Sequence, residues 1–298
     1  MNWQTLTVGQ LTLSLAVSMA LPDEHGLLTL SEASVRWIGD CVASLERWLA
    51  ENGYSDDVDR LTPLLIRQWH QATAERSSVV TANTYLRGVK LLFSRLQRNG
   101  SYGTNPAGPV RRLPEPAPGP RRISEADYVA LRGAMRHNRD VAIVDTLWYS
   151  GCRLGGLLSM RVDRIERVGQ AGLALYVVEK GGNPRWVYVA EGAAVIRYLT
   201  ERPAVSSPAL WLTFDAHPGP LKSDSVYHLL RAAARRVGIP AGAHINPHAF
   251  RHAFALRMLE QHDLALVSRW LGHATPEFTA RVYCVRSESE LRAAYFGR

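Results

Sequence analysis

The sequence has few cysteines, few lysines and no long hydrophobic run, and the first and last of these shortages each exclude a class of protein. Its three cysteines (Cys41, Cys152 and Cys284) are far apart, which argues against a disulfide framework and for a reducing compartment. The apolar run at residues 11–21 is too short to cross a bilayer, and no Lys or Arg precedes it as in a signal peptide. We therefore expect a cytoplasmic protein with no membrane partner.

Arginine carries nearly all of the positive charge, because Lys90, Lys180 and Lys222 are the only lysines. The formal net charge is +8 and the sequence pI is about 9.7, a balance that favours a polyanionic partner such as nucleic acid. Residues 1–113 hold 11 of the 35 basic and 10 of the 27 acidic residues. Most of the excess therefore lies in the C-terminal part.

Length and proline content predict two domains, at roughly 150 residues per domain. We expect a helical N-terminal domain over residues 1–106 and a Pro-rich, extended linker over 107–122. A mixed domain follows over 123–298. The fold class expected is mainly α with a small β-sheet or hairpin.

Capping patterns and apolar periodicity predict several helices. In the first domain they begin at Ser31, at Thr62-Pro63 and at Thr81. In the second domain, Ser124 and Asp127 have the spacing of a capping box. Further helices are predicted over 192–201 and 223–238.

The last third of the chain concentrates histidine and arginine on short helices. His248 and Arg251 are three residues apart, so a helix places both on one face, where they can hold the same ligand. Gly272 is predicted to end the next helix, which leaves His273 at a corner. His248 and His252 also have the spacing of a helical zinc pair, but the Glu of H-E-x-x-H is absent and we expect no metal.

These motifs, taken together, resemble the tyrosine recombinase (phage integrase) family. The C-terminal signature is the run H-x-x-R-H, then L-G-H, then Tyr283 ten residues beyond His273. Upstream, YSGCRLGGL resembles the first-arginine box, with Arg153 in the catalytic position. The strand-like AGLALYVVE, the Gly-rich turn after Lys180 and WVYV resemble the lysine hairpin.

The resemblance implies a chemistry and a role for each matched residue. Tyr283 would be the nucleophile, Lys180 the general acid, and Arg153 and Arg251 the groups that neutralise the phosphodiester, while His248 and His273 add donors. It also implies a 3′-phosphotyrosyl intermediate, a Holliday junction, no cofactor, and a homo-tetramer, or a related recombinase, on a double-stranded DNA site. The two domains would form a clamp around the duplex, with a SAM-like core-binding domain, in a cytoplasmic, nucleoid-associated protein.

Other basic residues are candidates for DNA contact. They lie on the predicted helices, on the linker and beside the lysine hairpin, and a merely solvated face is the alternative for each. The candidates are Arg87, Lys90, Arg111, Arg112, Arg185, Arg231 and Arg235.

One position departs from the family pattern. Members commonly carry an acidic residue three positions after the first arginine, where this chain has Gly156. The orientation of Arg153 then depends on another group, and Glu at position 156 is the first restoration to try. A catalytically silent DNA-binding relative and a type IB topoisomerase stay open as alternatives, as does the choice between an integrase and a Xer-like resolvase.

Overall fold

The computed structural model describes residues 11–20, 30–115, 123–179, 184–240, 245–273 and 275–283, with the side chains of 20, 278 and 281–283 outside that description. The chain divides into two compact units, Met1–Ala117 and Pro118–Arg298. Each unit has its own hydrophobic core. The domain boundaries drawn from the sequence stay a prediction.

The first unit consists of helices. Its elements are α1 (Leu13–Ala20), α2 (Glu32–Glu51), a 3-10 turn (Val58–Arg60), α3 (Pro63–Arg76) and α4 (Val79–Arg98). Helix α2 buries the apolar stripe expected from its 3.6-residue period, which includes Ile38, Val42, Leu45 and Leu49. That stripe packs against α4.

Side-chain caps set the helix starts, and one start differs from the prediction. Thr62 caps α3 with Pro63 in the first turn, as predicted. The prediction that Thr81 caps α4 is wrong. Ser78 is the cap, and its hydroxyl accepts the backbone N–H of Thr81, so the helix begins one turn earlier.

The apolar run at residues 11–21 contributes a short helix to this core. In α1, Leu13 and Ala16 are fully buried against the first unit's other helices. Among the described residues, no helix has both the length and the apolar character needed to cross a membrane.

The start of the Pro-rich segment lies along α4. Ala107 and Val110 are buried in the first core. The Asn105 amide donates to the carbonyl of Lys90, and Asn83 exchanges hydrogen bonds with the backbone of Leu113 in both directions. Residues 116–122 lie outside the described part of the chain.

The second unit combines helices with a small antiparallel sheet in the order β1-β2-β3. Its elements are α5 (Glu125–Gly133), α6 (Asn138–Ser150), α7 (Leu154–Ser159), β1 (Ile165–Val168), β2 (Gly172–Val177), β3 (Arg185–Val189), α8 (Ala193–Glu201), α9 (Ser223–Arg236), α10 (Pro247–Leu259), α11 (Leu264–Leu271) and α12 (Pro276–Tyr283). Strand β1 was not predicted, because only Ile165 is partly buried and its other three residues are exposed. The fold class is confirmed as mainly α with a small sheet.

Helix α6 runs through the centre of the second unit and leads into the candidate site. Ile143, Val144 and Leu147 are fully buried, and the helix packs against α8, α10 and β3. It ends at Gly151, whose φ of 57° is left-handed. This turn delivers the chain to Arg153 at the start of α7.

Candidate active site

Arg153 lies at the N-cap of α7. One nitrogen of its guanidinium, Nη1, donates to Glu179, and its backbone N–H donates to the same carboxylate over 2.9 Å. Within the described ranges, Nε and Nη2 of Arg153 donate to no protein atom, and the side chain is 40% exposed. The guanidinium is therefore fixed on one side and open on the other.

Arg185, at the start of β3, shares the carboxylate of Glu179. Its Nη1 lies 3.1 Å from one oxygen of Glu179 and its Nη2 lies 3.2 Å from the other. Its Nε donates to the carbonyl of Trp270 over 3.3 Å, and only 15% of the side chain is exposed. Contact of Arg185 with DNA stays a prediction, and its hydrogen bonds connect the sheet to the end of α11.

Arg251 is buried on α10, with 2% exposure, and it bonds to two glycine corners. Its Nη1 donates to the carbonyl of Gly151 over 2.9 Å, and its Nη2 donates to the carbonyl of Leu271, immediately before Gly272, over 2.6 Å. Both glycines have positive φ, 57° and 65°. Two left-handed helix ends thus hold the guanidinium of Arg251, and one of them, Gly151, lies two residues before Arg153 in the chain.

His273 follows the second corner and contacts the same arginine. Its Nε2 lies 2.8 Å from Nη2 of Arg251, and its Nδ1 lies 2.6 Å from Oγ1 of Thr279. Because a guanidinium only donates, Nε2 accepts and the ring proton lies on Nδ1, which donates to Thr279. The resemblance gives His273 a donor role toward phosphate, which stays a prediction.

Burial holds His273 in this neutral form. Together with the nearby cations Arg251, Arg153 and Arg185, burial lowers the pKa of His273 from its ordinary 6.5 to about 4, although Glu179 acts in the opposite direction. The neutral ring is therefore the form present at neutral pH, and its lone pair stays available to Arg251.

The lowered pKa of His273 predicts a pH-dependent stability. As pH drops, His273 binds a proton in the unfolded chain before it does so in the folded protein. The free energy of unfolding should therefore fall between pH 6.5 and about 4, and the contribution of His273 should level off below pH 4. The burial of Glu179 raises its pKa, but hydrogen bonds from Arg185 and Arg153 outweigh this and leave it lowered, so acid also weakens that contact. Urea unfolding across this pH range checks the prediction. His273→Gln should flatten the slope, and equal slopes in the two proteins would contradict it.

His248 lies in the first turn of α10, two residues after the capping residue Asn246, and it is exposed. Arg251 follows one turn later and points into the unit instead. Among the described residues, no three or more His, Cys, Asp or Glu side chains are grouped so as to hold a metal ion. Burial raises the pKa of the Cys152 thiol to about 11, so that cysteine is not a thiolate at neutral pH.

Two predicted catalytic groups lie wholly or partly outside the description. Lys180 lies outside the described residues, directly after Glu179 in the sequence. Tyr283 is the last residue of α12, and its side chain lies outside the description. Their roles stay predictions, as do those of the other four catalytic candidates.

The remaining candidates for DNA contact occupy varied environments. Arg87 stacks over Trp37, with 5.1 Å from its Cζ to the ring centroid, and Nζ of Lys90 donates to the carbonyl of Gly108. Three others are exposed: Arg111, Arg231 and Arg235. Arg112 is also exposed and forms an ion pair with Glu115.

Arg231 and Arg235 also share a cavity with the capping residue of α10. The cavity has a volume of about 280 Å³, and Asn246 lies in its wall. It therefore adjoins the helix start that carries His248.

Glu179 is the site residue that the sequence analysis missed. It ends the strand-like run AGLALYVVE, and its side chain is only 1% exposed. The available signal was an acidic residue closing an otherwise buried strand, directly before a proposed catalytic lysine. A buried carboxylate needs partners, and the motifs offered two arginines, Arg153 and Arg185, that could pair with it.

Comparison with known proteins identifies the family. The model of the phage integrase family matches residues 121–290. The tyrosine recombinase XerC of Alcanivorax borkumensis is 30% identical over 270 residues, covering 83% of this chain and 86% of that protein.

Two solved structures share the fold at low sequence identity. A XerH recombinase in a post-cleavage complex with its palindromic difH substrate matches at a TM-score of 0.70 and 15% identity, covering 88% of this chain and 79% of that one. A lambda integrase tetramer bound to a Holliday junction matches at a TM-score of 0.67 and 14% identity, covering 92% and 78%. On the family model and the sequence relationship together, this chain belongs to the phage integrase family of tyrosine recombinases.

Proposed function

We propose that this protein is a site-specific DNA recombinase that cleaves and rejoins duplex DNA through a 3′-phosphotyrosyl intermediate. The observation that carries the proposal is that Arg251 binds the chain segment that leads directly to Arg153. They are far apart in sequence, yet Arg251 donates to the carbonyl of Gly151, two residues before Arg153. His273 bonds to the same Arg251.

A cationic site of this kind suits attack on a phosphodiester. The nonbridging oxygens repel an approaching nucleophile unless their charge is neutralised, and charge grows on them in the pentacoordinate transition state. Guanidinium groups stay protonated and bind two oxygens at once. Arg153 offers Nε and Nη2 for this purpose, because Glu179 already holds its Nη1.

The cleavage step makes one bond and breaks one. The phenolate oxygen of Tyr283 attacks phosphorus, the bond to the 5′ oxygen breaks, and Lys180 gives that oxygen a proton. The same cations favour loss of the tyrosine proton, because they lower the pKa of a phenol near 10. A bound phosphate in turn raises the pKa of His273, which lets the ring become a donor once DNA is present.

Strand exchange is the reverse step with a new partner. A 5′ hydroxyl from another duplex attacks the phosphotyrosine, so the bond energy is retained and no ATP is needed. We propose that this occurs within a tetramer and through a Holliday junction, and the lambda integrase tetramer on such a junction supports both as properties available to this fold. Positioning and fixed charge supply the catalysis, and we expect activity without an added cofactor.

The proposal predicts a covalent protein–DNA complex that depends on Tyr283. Duplexes drawn from the DNA flanking the gene, nicked beside the cleavage position to trap the intermediate, are incubated with protein in EDTA. Wild type should give a band that survives denaturing electrophoresis, and Tyr283→Phe should give none. Tyr188→Phe is the matched control, because Tyr188 is 52% exposed on β3 and should leave the band unchanged.

Two outcomes would oppose the proposal. Demonstrated site binding with no covalent band favours a silent DNA-binding relative. A covalent band in a protein that relaxes supercoiled DNA but never joins two different duplexes favours a type IB topoisomerase.

A further inference from the structure

Gly156 and Glu179 share one small volume beside Arg153. A Cβ added at Gly156 would lie 2.7 Å from Oε1 of Glu179, 3.0 Å from its Cγ and 3.3 Å from its Cδ. Real Cβ atoms essentially never approach another heavy atom to under 3.0 Å. A side chain at 156 would therefore force the Glu179 carboxylate to shift from the position in which it contacts Arg153 and Arg185.

The carboxylate of Glu179 is paired with both arginines. One oxygen accepts the backbone N–H of Arg153 and Nη2 of Arg185. The other accepts Nη1 of Arg153 and lies 3.1 Å from Nη1 of Arg185 in an ion pair. The group thus fixes the angle of the Arg153 fork while leaving Nε and Nη2 open to a ligand.

We propose that Glu179 is the positioning residue for Arg153 in this protein, occupying from the end of β2 the space that a side chain at 156 would enter. The inference rests on the proposed recombinase function. A Cβ at 156 would point at the Glu179 carboxylate, so an acidic side chain there would aim its own carboxylate at the same arginine. The carboxylate is present in the site, but it is carried by the segment that follows β2 and not by helix α7.

This arrangement reverses the expectation that Glu at position 156 restores an incomplete site. In the chain as it stands, Gly156→Glu places a second carboxylate against a buried one that is already paired with both arginines. Like charges at this distance repel, and the added side chain has no room. We expect Gly156→Glu to lose activity, and we expect recovery only when Glu179 is removed at the same time.

The decisive experiment exchanges the two residues. The proteins are wild type, Glu179→Gln, Gly156→Glu, the exchange Gly156→Glu with Glu179→Gly, and its uncharged control Gly156→Gln with Glu179→Gly. The rate of covalent complex formation is measured on the nicked flanking duplexes. Noncovalent affinity for the same DNA and the melting temperature are measured in parallel, and they separate positioning from folding.

Loss of orientation in a catalytic group costs on the order of 100-fold in rate. We expect that loss in Glu179→Gln and in Gly156→Glu, with DNA affinity changed by less than about threefold. The exchange should recover to within about tenfold of wild type, and its Gln control should not, although the two have the same shape. The exchange protein and its Gln control differ only in the carboxylate at position 156, so a difference in their rates reports the action of that carboxylate on Arg153.

Three results would overturn the inference. The first is a wild-type rate in Glu179→Gln. The second is an equal rate in the exchange protein and its Gln control. A rate that simply follows the melting temperature across all five proteins would make Glu179 a structural ion-pair partner alone. If wild type itself forms no covalent complex, the proposed function fails first and this inference fails with it.

Discussion

Arg251→Lys is expected to lower the rate of covalent complex formation on the order of 10³-fold, the largest effect of any site substitution that leaves Tyr283 in place. A lysine keeps the positive charge but offers a single nitrogen. Arg251 uses two nitrogens to bond to the carbonyls of Gly151 and Leu271 and to His273. Lysine cannot reach all three, so the charge loses its fixed direction.

The same substitution should also destabilise the second unit. Arg251 is 2% exposed, and a buried carbonyl left without a donor costs about 1–3 kcal/mol. We expect the free energy of unfolding to fall by about 2–3 kcal/mol. Urea unfolding measures this loss of stability. The yield of covalent band, measured at temperatures well below the unfolding transition, isolates the effect on catalysis.

Arg269→Lys is the matched control for Arg251→Lys. Arg269 lies in the last turn of α11, near the same corner, but it is exposed. Its replacement should change neither rate nor stability beyond about 0.5 kcal/mol. A wild-type rate in Arg251→Lys would show that the buried fork takes no part in catalysis, and it would remove the observation on which the proposed function rests.

Gly151→Ala is expected to cost about 2–5 kcal/mol in the free energy of unfolding, because two penalties add. Its φ of 57° is left-handed, which costs an L-residue roughly 1–2 kcal/mol. An added Cβ would lie 2.4 Å from the ring of Phe254, and overpacking of a buried site costs about 1–3 kcal/mol. The displaced carbonyl is also an acceptor for Arg251, so catalysis should fall with stability.

Two other glycines separate these penalties. Gly238 has a φ of 71° with no atom within 4 Å of an added Cβ, so Gly238→Ala should show the backbone strain alone. Gly133 ends α5 with no positive φ and no close neighbour, so Gly133→Ala should be neutral or slightly stabilising. Chemical denaturation of the three variants should show the largest loss in the free energy of unfolding for Gly151→Ala and the smallest for Gly133→Ala. Equal losses at 151 and 238 would contradict a role for the Phe254 contact.

Local sequence patterns identified most of what is local in this protein. Thr62 with Pro63, and Ser124 with Asp127, each cap a helix where the sequence placed a helix start. A cap is a contact between residues three apart, so it is written in consecutive sequence. Strand β1 escaped detection because a mostly exposed strand has no apolar alternation to read.

The sequence by itself also determined the family, because the residue types of the candidate catalytic set and their order along the chain can be read directly from the linear sequence. Tertiary structure alone decided how those residues are held. Glu179 meets Arg153 across 26 residues and Arg251 meets Gly151 across 100, and no periodicity encodes such contacts. The proton position on His273 likewise follows from a partner 22 residues away. The sequence indicated the loss of a carboxylate at Gly156. The structure shows a carboxylate beside that position, because the segment after β2 brings Glu179 there.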